Sequence, residues 1–282
     1  MGKKIVAIGG GTIGEIYRNN IKEPYETENM DREIIKLCDA SRPNLLFLGF
    51  ADISYSKEYF QLIADVFYKK YNCNCKHLTF ENLKDEKKVI DSFDWADAFY
   101  IGGGNTYTLM KILKLYGLDE RLRENYNQGK VMSGLSAGGI CWFSFGNTVN
   151  PTGIGKDLIK QECLGLKKMV FAPHCDEING HFENVENLLR GENMVGISLS
   201  NCCAIEIVDD KYRMIQSDAT RYKIQPFGIR SFWYNGNYYI EDLKLNDTFE
   251  DLGEILLPRP LKNVPVKEDV KQLLKRRSIY FR

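Results

Sequence analysis

The stretch Gly134-Leu135-Ser136-Ala137-Gly138 sets a serine between two glycines, the G-x-S-x-G pattern that exposes a nucleophile on a sharp turn from strand to helix. Such a pentapeptide recurs wherever a strand meets a helix, so the serine gains meaning only through partners elsewhere. A serine hydroxyl is a weak nucleophile until a neighbouring base takes its proton. The chain contains three histidines. His77 lies inside the apolar strand "CKHLTF" (75–80) and reads as structural. His181 closes the loop "HCDEINGH" ahead of a helix, where a helix start, a substrate contact and catalysis are all open readings. His174 follows the apolar strand "MVFAP" (169–173) directly, at the strand end where Ser136 is also expected. Ser136 as nucleophile with His174 as base is the pairing that the order of elements favours.

Acyl transfer also needs donors for a developing oxyanion, and backbone amides suffice. The turn Gly102-Gly103-Gly104-Asn105-Thr106 stands between the strand "AFYIGG" (98–103) and a helix, and it lacks the G-K-[ST] signature of a phosphate loop. Gly103 or Gly104, with Ala137, are the candidate oxyanion donors. Asn105, His181 and Glu177 are candidate substrate contacts. A third glycine-rich turn, Gly9 to Gly14, satisfies G-x-G-x-x-G, yet a dinucleotide site also needs an acidic residue about 20 positions on at the end of the next strand, and here residues 29–34 look helical while the next strand ends only near Ala51-Asp52. A tight first turn facing the same sheet edge is the better reading.

These residues depend on the elements that carry them. The first two-thirds of the chain repeats an apolar strand, a glycine-rich or polar turn and an amphipathic helix, the rhythm of an α/β fold with a mostly parallel sheet flanked by helices. Strands are expected at 3–9, 44–51, 75–80, 98–103, 131–136, 169–173, 195–200 and 203–209. Helices fit 29–41, 56–71, 106–117 and 182–191. In an open parallel sheet the ligand site lies at the carboxyl ends of the strands, so all three turns fall on one edge. Beyond about residue 204 strands and turns take over. Asn235-Gly236 between aromatic runs marks a hairpin, because a type I′ turn needs positive φ twice. Prolines 258, 260 and 265 then precede a basic helical segment, 267–278. The expected division is an α/β domain over 1–225 and a hairpin and helical tail over 226–282, packed on the same domain or on a partner chain in a homodimer.

Composition limits the rest. With 282 residues, 44% of them hydrophobic, the chain can bury a substantial core. Its 38 basic residues balance 38 acidic ones, so no global charge draws it to nucleic acid or to an anionic membrane. No apolar run approaches the length of a membrane span, and the first residues lead straight into a strand, so a cytoplasmic protein is expected. The eight cysteines lack C-x-x-C spacing and read as reduced, packed thiols without a metal.

"GGGNTYTLM", "GLSAGGICWF" and "FAPHCDE" occur here in the same order as the motifs of the peptidase E and cyanophycinase-like serine peptidases, which the chain resembles over roughly residues 3–225. The resemblance implies a class I glutamine amidotransferase-like (flavodoxin-like) fold, Ser136 as nucleophile, His174 as base, an oxyanion amide from the G-G-G-N-T turn, small-peptide substrates of the dipeptidase kind, and no cofactor. The family places an aspartate shortly beyond its serine, where this chain has Asn147, Val149, Asn150 and Pro151. Asn150 is one candidate third member of the triad, since an asparagine can orient a histidine; Asp176, Glu177 and Asp157 are candidate substitutes. The missing acid motivates an alternative, a weak or inactive member that binds a small ligand in the same pocket. The segment 176–190 has no arginine before Arg190, so a preference for acidic substrates is not expected to carry over.

Overall fold

In the computed structural model, residues 2–14, 16–18, 21–150, 158–177, 180–218, 225–245, 247–261 and 271–272 are described. The strands are β1 (Lys4–Ile8), β2 (Ile16–Arg18), β3 (Ile21–Glu23), β4 (Asn44–Leu48), β5 (Asn74–Leu78), β6 (Ala98–Ile101), β7 (Val131–Leu135), β8 (Phe143–Val149), β9 (Leu158–Glu162), β10 (Lys167–Ala172), β11 (Gly196–Leu199), β12 (Cys203–Val208), β13 (Lys211–Gln216), β14 (Gly228–Tyr234), β15 (Asn237–Leu243) and β16 (Glu250–Asp251). The helices are α1 (Glu28–Lys36), α2 (Ser56–Tyr71), α3 (Glu86–Trp95), α4 (Thr106–Leu115), α5 (Leu118–Asn127), α6 (Ala137–Ile140), α7 (Val185–Leu189) and α8 (Leu252–Leu256).

The expected parallel strands divide between two sheets. The larger runs β16-β13-β12-β1-β7-β6-β4-β5, parallel from β1 through β5; the smaller runs β15-β14-β11-β10-β8-β9, with β8, β10 and β11 parallel. The cause lies next to Ser136. A parallel crossover needs a dozen or more residues to return over the sheet, and α6 has four. β8 therefore cannot come back beside β7 and founds a second sheet. α6 is also wedged against the first sheet, since a Cβ at Gly138 would lie 1.9 Å from the Ile101 carbonyl oxygen and one at Gly139 would lie 3.0 Å from that of Ile8.

Central strands buried on both faces read as unbroken apolar runs. Ile5 and Ala7 of β1 point into one core with Leu46, Phe99 and Met132, while Val6 and Ile8 point into the opposite core with Leu45, Phe47 and Tyr100. Met30, Ile34, Ile63 and Phe67 bring α1 and α2 onto the second of these cores. Val89, Phe93, Leu109 and Leu122 bring α3, α4 and α5 onto the first, which continues through Phe171, Ile197 and Phe232 into the smaller sheet.

β2, β3, β8, β9, β16, α3, α5 and α8 are among the elements with no counterpart in the expected set, and the expected helix at 182–191 is confined to Val185–Leu189. Asn235 (φ 48) and Gly236 (φ 77) form the two-residue turn of the β14–β15 hairpin, which joins the smaller sheet through β11. All but two residues of the expected tail helix lie outside the described residues. All eight cysteines are free thiols, and no described helix is long and apolar enough to cross a membrane.

Candidate active site

Three turns meet at one point: two that carry the chain between the sheets, after β7 and after β11, and one within the smaller sheet, after β10. Ser136 caps β7 at φ 56, ψ −113, a conformation that turns a non-glycine residue sharply off the strand. Its N–H donates to the Ile8 carbonyl (3.0 Å), and its own carbonyl accepts from Gly139 and Ile140 at the start of α6. The side chain is thus held clear of both elements. His174 follows β10, takes a positive φ of 52, and anchors its N–H on the Gly9 carbonyl (3.1 Å). Asn201, 5% exposed, lies where the chain passes from β11 of the smaller sheet to β12 of the larger.

Ser136 Oγ lies 3.0 Å from His174 Nε2, and Asn201 Oδ1 lies 2.8 Å from His174 Nδ1. Glu177 Oε1 approaches the same Nδ1 at 3.3 Å. Two groups thus face His174 Nδ1, Asn201 and, of the candidate third members, Glu177; the candidate Asn150 sits just past the end of β8. Sequence reasoning missed Asn201 altogether. Asp176 is displaced from the ring: its carboxylate accepts from the backbone N–H of Asn201 (2.8 Å) and from its side-chain amide (3.2 Å to each oxygen). Asp157 lies outside the described residues.

The first glycine turn forms the wall behind this pair. A Cβ on Gly10 would come within 2.0 Å of Asn201 Oδ1 and 2.6 Å of the His174 ring, and the Gly10 carbonyl accepts from Cys202 N–H (2.9 Å). Gly10 thus lets the turn pack directly against Asn201 and the histidine ring.

Gly103 lies beside Ser136, its Cβ position 3.5 Å from that of the serine. Gly104, at φ 139, leaves no room for a side chain, because a Cβ would lie 2.5 Å from the Ala51 carbonyl oxygen. Ala137 is the first residue of α6, where helix N–H groups lack intrahelical partners. Asn105, expected to touch substrate, is committed locally: its side-chain oxygen caps α4 by accepting from Thr108 N–H (2.9 Å), and its amide reaches the Val149 carbonyl (3.3 Å). The His181 carbonyl accepts from Asn147, which ties the histidine loop to β8.

Electrostatics separates the two nearby imidazoles. Burial alone would lower the pKa of His174, but hydrogen bonding and charge from Glu177, with Asn201 and Asp176, outweigh it and leave the value raised. Burial and the positive charge of His174 push His181 down to about 4, so His181 is neutral near pH 7. Its hydrogen bond to His174 holds the Glu177 carboxyl down at about 2.

The sequence profile of Peptidase family S51 matches residues 18–215. The uncharacterized peptidase YgaJ of Bacillus subtilis (strain 168) is 33% identical over 175 residues, covering 62% of this chain and 69% of that protein. Two solved structures share the fold. A peptidase from an acI-B1 Actinobacterium superposes with a TM-score of 0.61 at 15% identity, covering 89% of this chain and 97% of that one. A candidate peptidase E from Listeria monocytogenes EGD-e gives 0.56 at 17% identity, covering 77% and 99%. With a serine on a strained turn and a profile that covers well over half of the chain, this protein belongs to Peptidase family S51 and is a serine peptidase.

Proposed function

We propose that the chain hydrolyses small peptides, dipeptides among them, with Ser136 as nucleophile and His174 as base. The observation that carries this reading is the 3.0 Å approach of Ser136 Oγ to His174 Nε2 while the other ring nitrogen is engaged. Ser136 Oγ bonds to the substrate carbonyl carbon as its proton passes to Nε2 and the carbonyl π pair moves onto oxygen. Amides of Ala137 and the Gly103–Gly104 turn receive the oxyanion. The C–N bond then breaks, and the leaving nitrogen takes the proton from Nε2 while the acyl group stays on Ser136. Water attacks that ester and gives a proton to His174, which returns it to Oγ as the acid leaves. Small substrates are favoured because Ser136 and His174 are both half-buried, which limits how much of a long chain can approach them.

Intact-mass analysis after fluorophosphonate treatment tests the nucleophile and base. One adduct is expected on the wild type, absent in Ser136→Ala and greatly slowed in His174→Ala. Cleavage of a dipeptide library with little cleavage of long peptides tests the size preference. No adduct on folded wild type overturns the assignment in favour of a ligand-binding member of the family.

A further inference from the structure

A lone asparagine is a poor third member for a serine peptidase. It carries no charge to stabilise the imidazolium, and in serine proteases an asparagine in place of the triad aspartate costs about 10⁴ in turnover because the ring is held in the wrong tautomer. The surroundings of Asn201 answer both objections. Its Nδ2 donates to Glu177 Oε1 (2.7 Å) and faces both oxygens of Asp176 at 3.2 Å. Ionised carboxylates only accept, so the amide has a single satisfactory orientation, with Oδ1 turned to His174. Oδ1 in turn requires a proton on Nδ1, which leaves Nε2 free to accept from Ser136. Two carboxylates thereby fix the tautomer through one amide.

The charge comes from Glu177. The Glu177 N–H donates to the His174 carbonyl (3.0 Å), a turn that folds the glutamate back until its carboxylate lies 3.3 Å from Nδ1. Asp176 is occupied with the backbone and amide of Asn201 and acts on the ring only through them. We propose that Glu177 is the positioning residue that supplies negative charge to His174, and that Asn201, anchored by Asp176, aligns ring and carboxylate. The proposal rests on His174 being the base, as argued above. As the serine proton arrives on Nε2, the positive charge forms beside Glu177, and no proton moves to the carboxylate. Among the described residues, the titratable groups that act on His174 are Glu177 and Asp176, which raise its pKa, and His181, whose own pKa is pushed down to about 4 by burial and by the charge of His174.

The test is Glu177→Gln, read in two ways. The first is the acidic limb of kcat/KM. Loss of the carboxylate lowers the pKa of His174, so the limb moves to lower pH while kcat falls about ten- to a hundredfold, part of the roughly 10²–10⁴ that general-base catalysis contributes in all. KM is expected to change little. The second is an NMR titration of the His174 ring, which needs no substrate and is tractable in a chain with three histidines. Its midpoint is expected to fall below that of the wild type. The double variant Glu177→Gln/Asn201→Asp exchanges amide and carboxylate, and should regain at least about tenfold of the lost kcat.

An active Glu177→Gln enzyme with limb and midpoint unmoved overturns the proposal and leaves the peptidase reading intact. A wild type inert to fluorophosphonate and peptides, whose His174 midpoint still falls on Glu177→Gln, sinks the peptidase reading and leaves the charge pair standing. If Glu177→Gln loses its circular dichroism, the double variant decides: a folded, active enzyme with a wild-type-like limb supports the exchange, and any other result overturns it.

Discussion

Ser136 gives up backbone comfort for exposure. Its φ of 56 and ψ of −113 lie where side-chain-bearing residues are strained by about 1–3 kcal/mol, and glycine is not. Ser136→Gly and Ser136→Ala both remove Oγ, but only the glycine variant relieves the backbone. We expect Ser136→Gly to unfold in urea with about 1–3 kcal/mol more stability than Ser136→Ala, with neither taking a fluorophosphonate adduct. Equal midpoints would mean that the turn stores no strain. Ser136 and His174 were legible in the sequence because each directly follows an apolar strand, a position that chain order alone reveals. Asn201 was not. It sits in "LSNCCA", among small residues without a chemical signal, and its role is created by the passage of the chain between the two sheets. Asp176 and Glu177 were visible as acids near a histidine. Which of them reaches the ring depends on a turn and an amide that spacing does not specify.

At the scale of elements, the turn after β6 is fixed from both ends. Asn105 N–H donates to the Ala51 carbonyl (2.9 Å), and the Asn105 side chain caps α4 while holding Val149. Loss of an N-cap costs about 0.5–2 kcal/mol. Asn105→Ala is therefore expected to lose that much stability and to slow fluorophosphonate labelling, because the Gly103–Gly104 turn loosens. Asn105→Asp, which keeps the cap, should retain most of both. A raised KM in Asn105→Asp with stability unchanged would restore Asn105 as a substrate contact. Elements that alternate or run polar were the ones the sequence hid. α5 buries only Leu118, Leu122, Asn125 and Tyr126 of "LDERLRENYN", too thin a stripe to stand out. β8 begins three residues after α6 ends, too close to be read as the start of another sheet. The central strands β1, β4, β6, β7 and β12 of the larger sheet announced themselves because both faces are buried.

Across the whole molecule, the proposed mechanism depends on the registration of two sheets, since Ser136 follows a strand of the larger one, His174 follows a strand of the smaller and Asn201 lies on the connection between them. The far side of this junction is held by Arg230 of β14, fully buried, which pairs with Glu241 of β15 at 2.5 Å. Arg230 also donates to the carbonyls of Ile255, Leu257 and Arg259, and Glu241 accepts from the Leu261 N–H. The same segment enters the larger sheet just upstream, where β16 pairs with β13. One arginine thus clasps a strap that belongs to both sheets. Removing one partner of a buried ion pair leaves the other charged and unmatched, at a cost of about 3–5 kcal/mol. Arg230→Met, which keeps most of the volume, should lower the urea midpoint accordingly. Because a single core runs from Ile5 and Phe99 through Phe171 to Phe232, circular dichroism and labelling of Ser136 are expected to fall together, both at the lower midpoint. Labelling lost well before the circular dichroism changes would show instead that the sheets separate first, and that the strap guards the alignment of serine and histidine more than the stability of either sheet.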